Sequence, residues 1–319
     1  MEYRHQVPRN VAHKVSFRPA LVNGRDSGEL FITLRTRDCP WGKCLFCGLN
    51  RIDGDNKPLL YDEAVAQVRD SIKSYEFKRG DCRKVGMVSL ITNSDSVFNP
   101  ETVEKLSLLG MAAEIGGLPA VTELIFESRA EYLTSEALGW IRGRIAVFTS
   151  ASLSVAVGIE SPYEEVRKKN HKGLPSSLLF KAAKNAAGAG FGLRGYFVYN
   201  LLEPLGRTRL RNLEDSVGLM AQIASETGAR TSMLVLRGYV PEKLAGTPLF
   251  RNFREVPDRE ALLDLQAAAA FAKANDVRFE VDSTTEDQEN TGSRTWMSPA
   301  YRAALVRYNT TMDPLQLKL

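Results

Sequence analysis

The 319-residue sequence predicts an α/β fold built on a parallel sheet, and three observations carry that expectation. Short runs rich in β-branched and aliphatic residues alternate with longer segments whose apolar residues recur at spacings of three and four, from residue 30 to residue 283. The strand, helix, strand order repeats about six times, and parallel strands need a covering crossover between them. Hydrophobic residues make up 44% and charged residues 25%, the balance of a globular chain with a real core. An open doubly wound sheet and a full or partial barrel both satisfy this order. In either, ligands gather at the carboxyl ends of the strands, where the strand-to-helix loops meet.

Seven candidate strands follow in order: "LFITLRTR", "VGMVSLIT", "ELIFESR", "LSVAVGIES", "LRGYFVYN", "SMLVLRGY" and "VRFEVDS". Between them lie the amphipathic segments "YDEAVAQVRDSIKSYEF", "PETVEKLSLLGMAAEI", "TSEALGWIRGR", "SSLLFKAAKNAAGAG", "LEDSVGLMAQIASETG" and "REALLDLQAAAAFAKAN". The first thirty residues show no clear period and are expected to wrap the sheet. "TTEDQENTGSRTW" reads as a polar loop, and "SPAYRAALVRYN" as a last helix opened by Ser298 and Pro299. With no repeat, low-complexity tract or linker composition, one core domain is expected over 30–283, with an N-terminal extension over 1–29 and a C-terminal loop and helix packed on it over 284–319. "AAGAGFG" follows a helix and not a strand, which fails the context for dinucleotide binding and reads as a helix terminator.

No apolar run approaches the roughly eighteen residues of a membrane span, and the opening "MEYRHQVPRN" lacks the apolar core of a signal peptide. A cytoplasmic protein with no membrane partner is the expectation. A net charge of +4 is mild and dispersed, which permits a nucleic-acid or phosphorylated partner without requiring one.

Three of the four cysteines, Cys39, Cys44 and Cys47, crowd into "RTRDCPWGKCLFCGLN" directly after the first candidate strand. Clustered thiols in a reducing compartment hold a metal or do redox chemistry, and do not form a disulfide framework. A structural zinc site closes with four protein ligands. The remaining donors are Cys82, His5, His13 and His171, and Cys82 precedes the second candidate strand, at the opposite face of the sheet. A buried packed thiol is the simpler reading of Cys82, and a solvated loop residue that of His171. Three thiolates fit a 4Fe–4S cluster whose fourth iron stays open for a substrate or cofactor.

This loop resembles the cluster motif of the radical S-adenosylmethionine (SAM) enzymes, with a four-residue first gap in place of the usual three and with Phe46 as the aromatic before the last cysteine. The later strand ends support it. "TNSDSVFNP" stands where the superfamily has a Gly-Gly-Glu segment and resembles instead the short polar segment of the branch with the tRNA methylthiotransferases and the elongator catalytic subunit. "FESRAEYLT", "GIESPYEEVRKKNHKG" and "GTPL" resemble that branch's patterns in the same order, over roughly residues 30 to 250. Within it the archaeosine-biosynthesis radical SAM lyases are the most similar group. The resemblance implies a partial (β/α)6 barrel, a 4Fe–4S cluster on Cys39, Cys44 and Cys47, and SAM cleaved reductively to a 5′-deoxyadenosyl radical that abstracts hydrogen from substrate.

It also implies the roles of single residues. Phe46 would pack against adenine; Asn93, Ser94 and Ser96 would offer short polar groups; Arg129 would meet the SAM carboxylate and Glu160 the ribose or methionine part. Glu127, at a neighbouring strand end, suits an ammonium or ribose as well as an ion pair. Arg194 is the other guanidinium considered for the carboxylate, but it falls near the start of its strand. Tyr199, Asn200, Arg237 and Tyr239 would line the substrate cavity. The implied partners are a nucleoside, nucleotide or tRNA substrate and an electron donor such as flavodoxin or ferredoxin. One alternative keeps the chemistry on a free nucleoside or nucleotide of natural-product biosynthesis, with sulfur insertion; another class altogether is a zinc-stabilised nucleic-acid-binding module. Methylthiolation needs a second set of three cysteines, and only Cys82 remains.

Overall fold

The computed structural model describes residues 9–47, 57–79, 82–199, 201, 208–237, 256–283 and 298–319. Eight strands form one sheet in chain order: β1 Lys14–Val22, β2 Arg25–Leu34, β3 Val85–Thr92, β4 Glu123–Glu127, β5 Ser152–Glu160, β6 Gly192–Tyr199, β7 Thr231–Arg237 and β8 Arg278–Val281. β1 and β2 pair antiparallel, and every later pair is parallel. Helices cover the crossovers: α1 Tyr61–Arg79, α2 Ser107–Gly116, α3 Ser135–Ile145, α4 Glu164–Lys169, α5 Ser176–Gly188, α6 Arg209–Thr227 and α7 Asp258–Ala274, with α8 Pro299–Thr311 at the end. From β2 to α7 the chain thus makes six β/α units, and β1 and β8 flank them. No helix among the described residues is long and apolar enough to cross a membrane.

The helix ends follow their sequence. Thr134 and Thr208 cap α3 and α6 by accepting the amides of Ala137 and Arg211 at 3.1 Å. Ser298 caps α8 on the amide of Tyr301 at 3.1 Å with Pro299 in the first turn, as expected. Gly228, in left-handed conformation, stops α6.

Residues 14–22, expected to wrap the sheet without a period, instead form its first strand. Asn23 and Gly24 both take positive φ, the pair a tight hairpin needs. The alternation is present but inverted in polarity: Ser16, Arg18, Ala20 and Val22 point inward, and Val15 and Phe17 face the other side. Two polar residues on the buried face hide the strand from a hydrophobicity pattern, and Pro19 sits where only an edge strand tolerates it.

The sheet curls until its last strand meets its first through side chains. Arg278 of β8 donates to the Leu21 carbonyl of β1 at 3.2 Å and pairs with Glu123 of β4 at 3.4 Å. The free edge of β8 is closed by α8, where the Asn309 side chain takes both the N–H and the C=O of Val281 at 3.2 and 2.7 Å. Two layers fill the barrel interior. Toward the amino ends of the parallel strands, Arg18, Glu29, Arg194 and Glu280 form a fully buried ionic network. Above it Phe31, Met87, Ile125, Ala156, Tyr196 and Leu234 make an apolar floor for the carboxyl-terminal mouth.

Candidate functional site at the barrel mouth

The described segments that follow β2, β3, β4 and β5 open on this mouth. Cys39, Cys44 and Cys47 lie half-buried on the loop after β2, none of them in a disulfide. The loop is clasped from the far side by the turn after α4. Leu45 donates to the Asn170 carbonyl at 3.1 Å, the Trp41 indole N–H to the His171 carbonyl at 2.8 Å, and the Cys44 Sγ lies 3.8 Å from that same oxygen. This turn needs left-handed backbone at His171 and Gly173, and a Cβ at Gly173 would run 2.3 Å from the Trp41 ring. The glycine therefore lets the indole lie flat against the backbone.

The four-residue gap between Cys39 and Cys44 has a physical use here. Gly42, also at positive φ, turns the loop so that Trp41 leaves the mouth and anchors outside it. Arg129 sits over that indole at 5.0 Å and pairs with Glu131 at 2.5 Å, with Asp95 at 3.8 Å. Its guanidinium is held at the edge of the cysteine loop.

Glu160 closes β5 in left-handed conformation, at a bulge in its pairing with β6. That backbone turns its carboxylate back over Gly158 to meet the Lys172 amine at 2.7 Å, and a Cβ at Gly158 would collide with both groups. Burial works against the Lys172 charge, but Glu160 and Cys44 outweigh it and hold the amine above its ordinary range. The amine also lies 5.9 Å from the Phe46 ring. Lys172 was missed from sequence because a lysine among "KKNHKG" carries no signal of its own; the residue between His171 and the conformationally special Gly173 was the one to ask about.

Burial pushes the Cys44 thiol up, opposed by Lys172 and Arg129. Glu127 projects inward at the end of β4, two residues beyond Ile125 of the apolar floor, and accepts the Thr92 amide at 3.3 Å. It has no ion pair among the described residues, and burial raises its carboxyl to about 7.

The residues after β3 divide differently. Asn93 accepts both the amide and the hydroxyl of Thr36 at 2.8 Å, tying the end of β3 to the end of β2. Ser94 shares a 2.8 Å hydrogen bond with Thr36 beside it, while Ser96 is fully buried on Ser128 at 2.7 Å. Asn93 and Ser96 shape the turn from within, and Ser94 is the hydroxyl nearer the mouth. Arg194 is consumed by Glu29 and Glu280 on the inner wall, far below the loop.

Tyr199 does not face the cavity expected for it. On β6 the inward residues are Arg194 and Tyr196, so Tyr199 points out into the helix layer and donates to Asp264 of α7 at 2.6 Å. Strand alternation makes Tyr196 the interior tyrosine. The backbone of Arg237 ends β7; its side chain, Asn200, Tyr239 and "GTPL" lie outside the described residues.

Among the described residues no three His, Cys, Asp or Glu side chains converge on a metal-holding point, so the three thiols share a loop without meeting. The donor set nevertheless fits an iron–sulfur cluster: three thiols outside any disulfide, with Lys172 and Arg129 beside Cys44 to offset thiolate charge. It does not suit closed zinc. Cys82 is buried before β3, on the order of 25 Å away along a strand from the mouth.

No protein-family model matches the chain, and no curated protein matches it. Solved structures do. A cysteine-to-serine variant of spore photoproduct lyase superposes with a TM-score of 0.51 at 11% identity, over 85% of this chain and 81% of that one. The archaeal Methanocaldococcus infernus Elp3 lacking its N-terminus gives 0.48 at 15%, over 72% of this chain and 60% of that one. The cobalamin-dependent S-adenosylmethionine radical enzyme OxsB gives 0.40 at 15%, and the chain spans 30% of its length. With six β/α units in an incomplete ring and the cysteine loop at its mouth, the chain has the partial β/α barrel fold of the radical SAM type.

Proposed function

We propose that the protein is a radical SAM enzyme acting on a nucleoside-type substrate, such as a modified base in tRNA. The observation that carries this is the three-cysteine loop clasped at the mouth of a partial barrel by the 170–173 turn. Cys39, Cys44 and Cys47 would hold the 4Fe–4S cluster. When bound, the cluster and SAM supply the 5′-deoxyadenosyl radical that abstracts hydrogen from substrate.

The chain's own residues orient and shield. Lys172 and Arg129 place positive charge beside the thiols, and the Glu160 carboxylate fixes Lys172 in that position. Glu127, a carboxyl with no direct ion pair among the described residues, offers an acceptor to an ammonium or a ribose hydroxyl in the mouth. The apolar layer beneath keeps water from entering through the floor. The substrate class rests on the resemblance of the strand-end segments, and a flavodoxin- or ferredoxin-type donor supplies the electron.

Anaerobic reconstitution with iron and sulfide, reduction with dithionite in the presence of SAM, and mass spectrometry for 5′-deoxyadenosine test the reading. Product that disappears on replacing Cys39, Cys44 and Cys47 by Ala is the expected result. One bound zinc per chain and no 5′-deoxyadenosine would refute it.

A further inference from the structure

The Tyr196 hydroxyl is buried in the barrel interior and makes no hydrogen bond among the described residues. A phenol kept out of water without a partner lowers stability, and phenylalanine would pack against the same floor without that cost. The hydroxyl therefore does nothing for the empty fold. Burial holds the phenol well above its ordinary range, so it stays protonated and able to donate.

Of the charged groups around Tyr196, Glu127 acts on it most strongly. One Glu127 oxygen accepts the Thr92 amide at 3.3 Å, and the other makes no hydrogen bond among the described residues. The strand between the two residues carries only small side chains on its inner face. β4 and β5 are in register at Glu127 and Ala156, and β5 and β6 at Gly158 and Tyr196. Ala156 and Gly158 put no long side chain between the carboxyl and the phenol. Phe31, Met87, Ile125 and Leu234 make the surroundings below apolar, and the Glu160–Lys172 pair lies over Gly158. A few polar groups in an otherwise apolar recess fix the orientation of a ligand. Here one group accepts and the other donates.

We propose that Tyr196 and Glu127 are a substrate-recognition pair that binds the edge of a heterocyclic base, where a hydrogen-bond donor stands beside an acceptor; this rests on the radical SAM reading above. The Tyr196 O–H donates to a ring nitrogen or carbonyl oxygen of the base, and the Glu127 carboxylate accepts its N–H. The apolar floor takes the flat face, which selects a base over a sugar. The ligand completes the hydroxyl that the fold leaves unpaired.

The test is calorimetry on the reconstituted protein saturated with S-adenosylhomocysteine, which is not cleaved, titrated in turn with adenosine, guanosine, cytidine and uridine. At least one nucleoside is expected to bind, and Tyr196→Phe and Glu127→Gln to weaken it about tenfold each. The double variant is expected to lose less than the product of the two single losses, because both residues hold one group. The denaturation midpoint of Tyr196→Phe is expected to be equal or higher, the opposite of what a structural hydrogen bond would give. The 2′-deoxy form of the bound nucleoside is expected to bind equally; a loss there matching that of Tyr196→Phe would place a sugar hydroxyl on the pair and overturn the base. Tyr196→Phe binding the nucleoside as well as the unsubstituted protein would also overturn the proposal, as would an unsubstituted protein that binds none of them. An equal loss of S-adenosylhomocysteine affinity in Tyr196→Phe would assign the hydroxyl to the cofactor and overturn it too. Failure of the radical reading shows separately: no 5′-deoxyadenosine from the unsubstituted protein with dithionite and SAM would remove that reading and the proposal with it.

Discussion

The barrel interior holds charge at two levels, and the two are treated oppositely. At the amino-terminal level, Glu29 and Glu280 lie between Arg18 and Arg194, all four essentially without solvent contact, and Ser89 and Arg278 complete the network. Burial disfavours these carboxylates, but the two guanidiniums prevail and hold both below their ordinary range. At the carboxyl-terminal level, Glu160 pairs directly with Lys172, Glu127 makes no ion pair among the described residues and feels Lys172 only at a distance, and three thiols stand half-exposed. A buried ion network that pairs within itself has no charge left for a ligand. A mouth with a carboxyl outside any ion pair among the described residues, and with thiols outside any disulfide, is built to be completed by one.

The pH dependences of the two levels have opposite sign. Glu29 and Glu280, depressed in the fold, contribute stability above their unfolded pKa near 4.5, and it is lost as pH falls through their lower folded values. Glu127, raised to about 7, contributes stability that is complete below about 4.5 and lost as pH rises through 7.

The largest expected break comes at the lower level. Arg194→Ala leaves two buried carboxylates short of a partner and should cost about 3–5 kcal/mol in denaturant unfolding. A loss under about 1 kcal/mol would mean that the network is not closed. Next, Glu127→Gln should abolish the decline in stability between pH 5 and pH 8, a difference of up to about 3 kcal/mol at the alkaline end, an upper bound for a carboxyl that keeps some solvent contact. Parallel pH curves for both proteins would show that Glu127 is compensated after all. Lys172→Met unpairs Glu160 and slackens the clasp on the cysteine loop; about 1–2 kcal/mol of stability should go, with a more than tenfold fall in 5′-deoxyadenosine formation. The smallest change in stability is expected from replacing Cys39, Cys44 and Cys47 together by Ala, within about 0.5 kcal/mol, because half-exposed loop thiols carry little packing. That variant alone should lose all product.

Residue type decided what was readable before the structure. Cysteines are rare enough in this chain that three on one loop announce themselves, and the six β/α units follow from period and order alone. β1 escaped because Ser16 and Arg18 occupy its inner face, so that its pattern records a pairing with Glu29 and Glu280 that only the closed sheet brings about. Tyr199 was misplaced for a related reason: the side a strand-end residue faces depends on register, which put Tyr196 inside and Tyr199 against Asp264. Lys172 lies twelve residues from its partner Glu160, and the two meet only because Gly158 leaves room and Glu160 adopts positive φ.

The most direct test of a mouth built for completion is metal analysis with electron paramagnetic resonance on the anaerobically reconstituted, reduced chain, with and without SAM. The account predicts about four irons and four sulfides per chain and a reduced-cluster spectrum that changes when SAM is added, as an open iron requires. A spectrum indifferent to SAM, or a chain that takes up zinc and no iron, would contradict it.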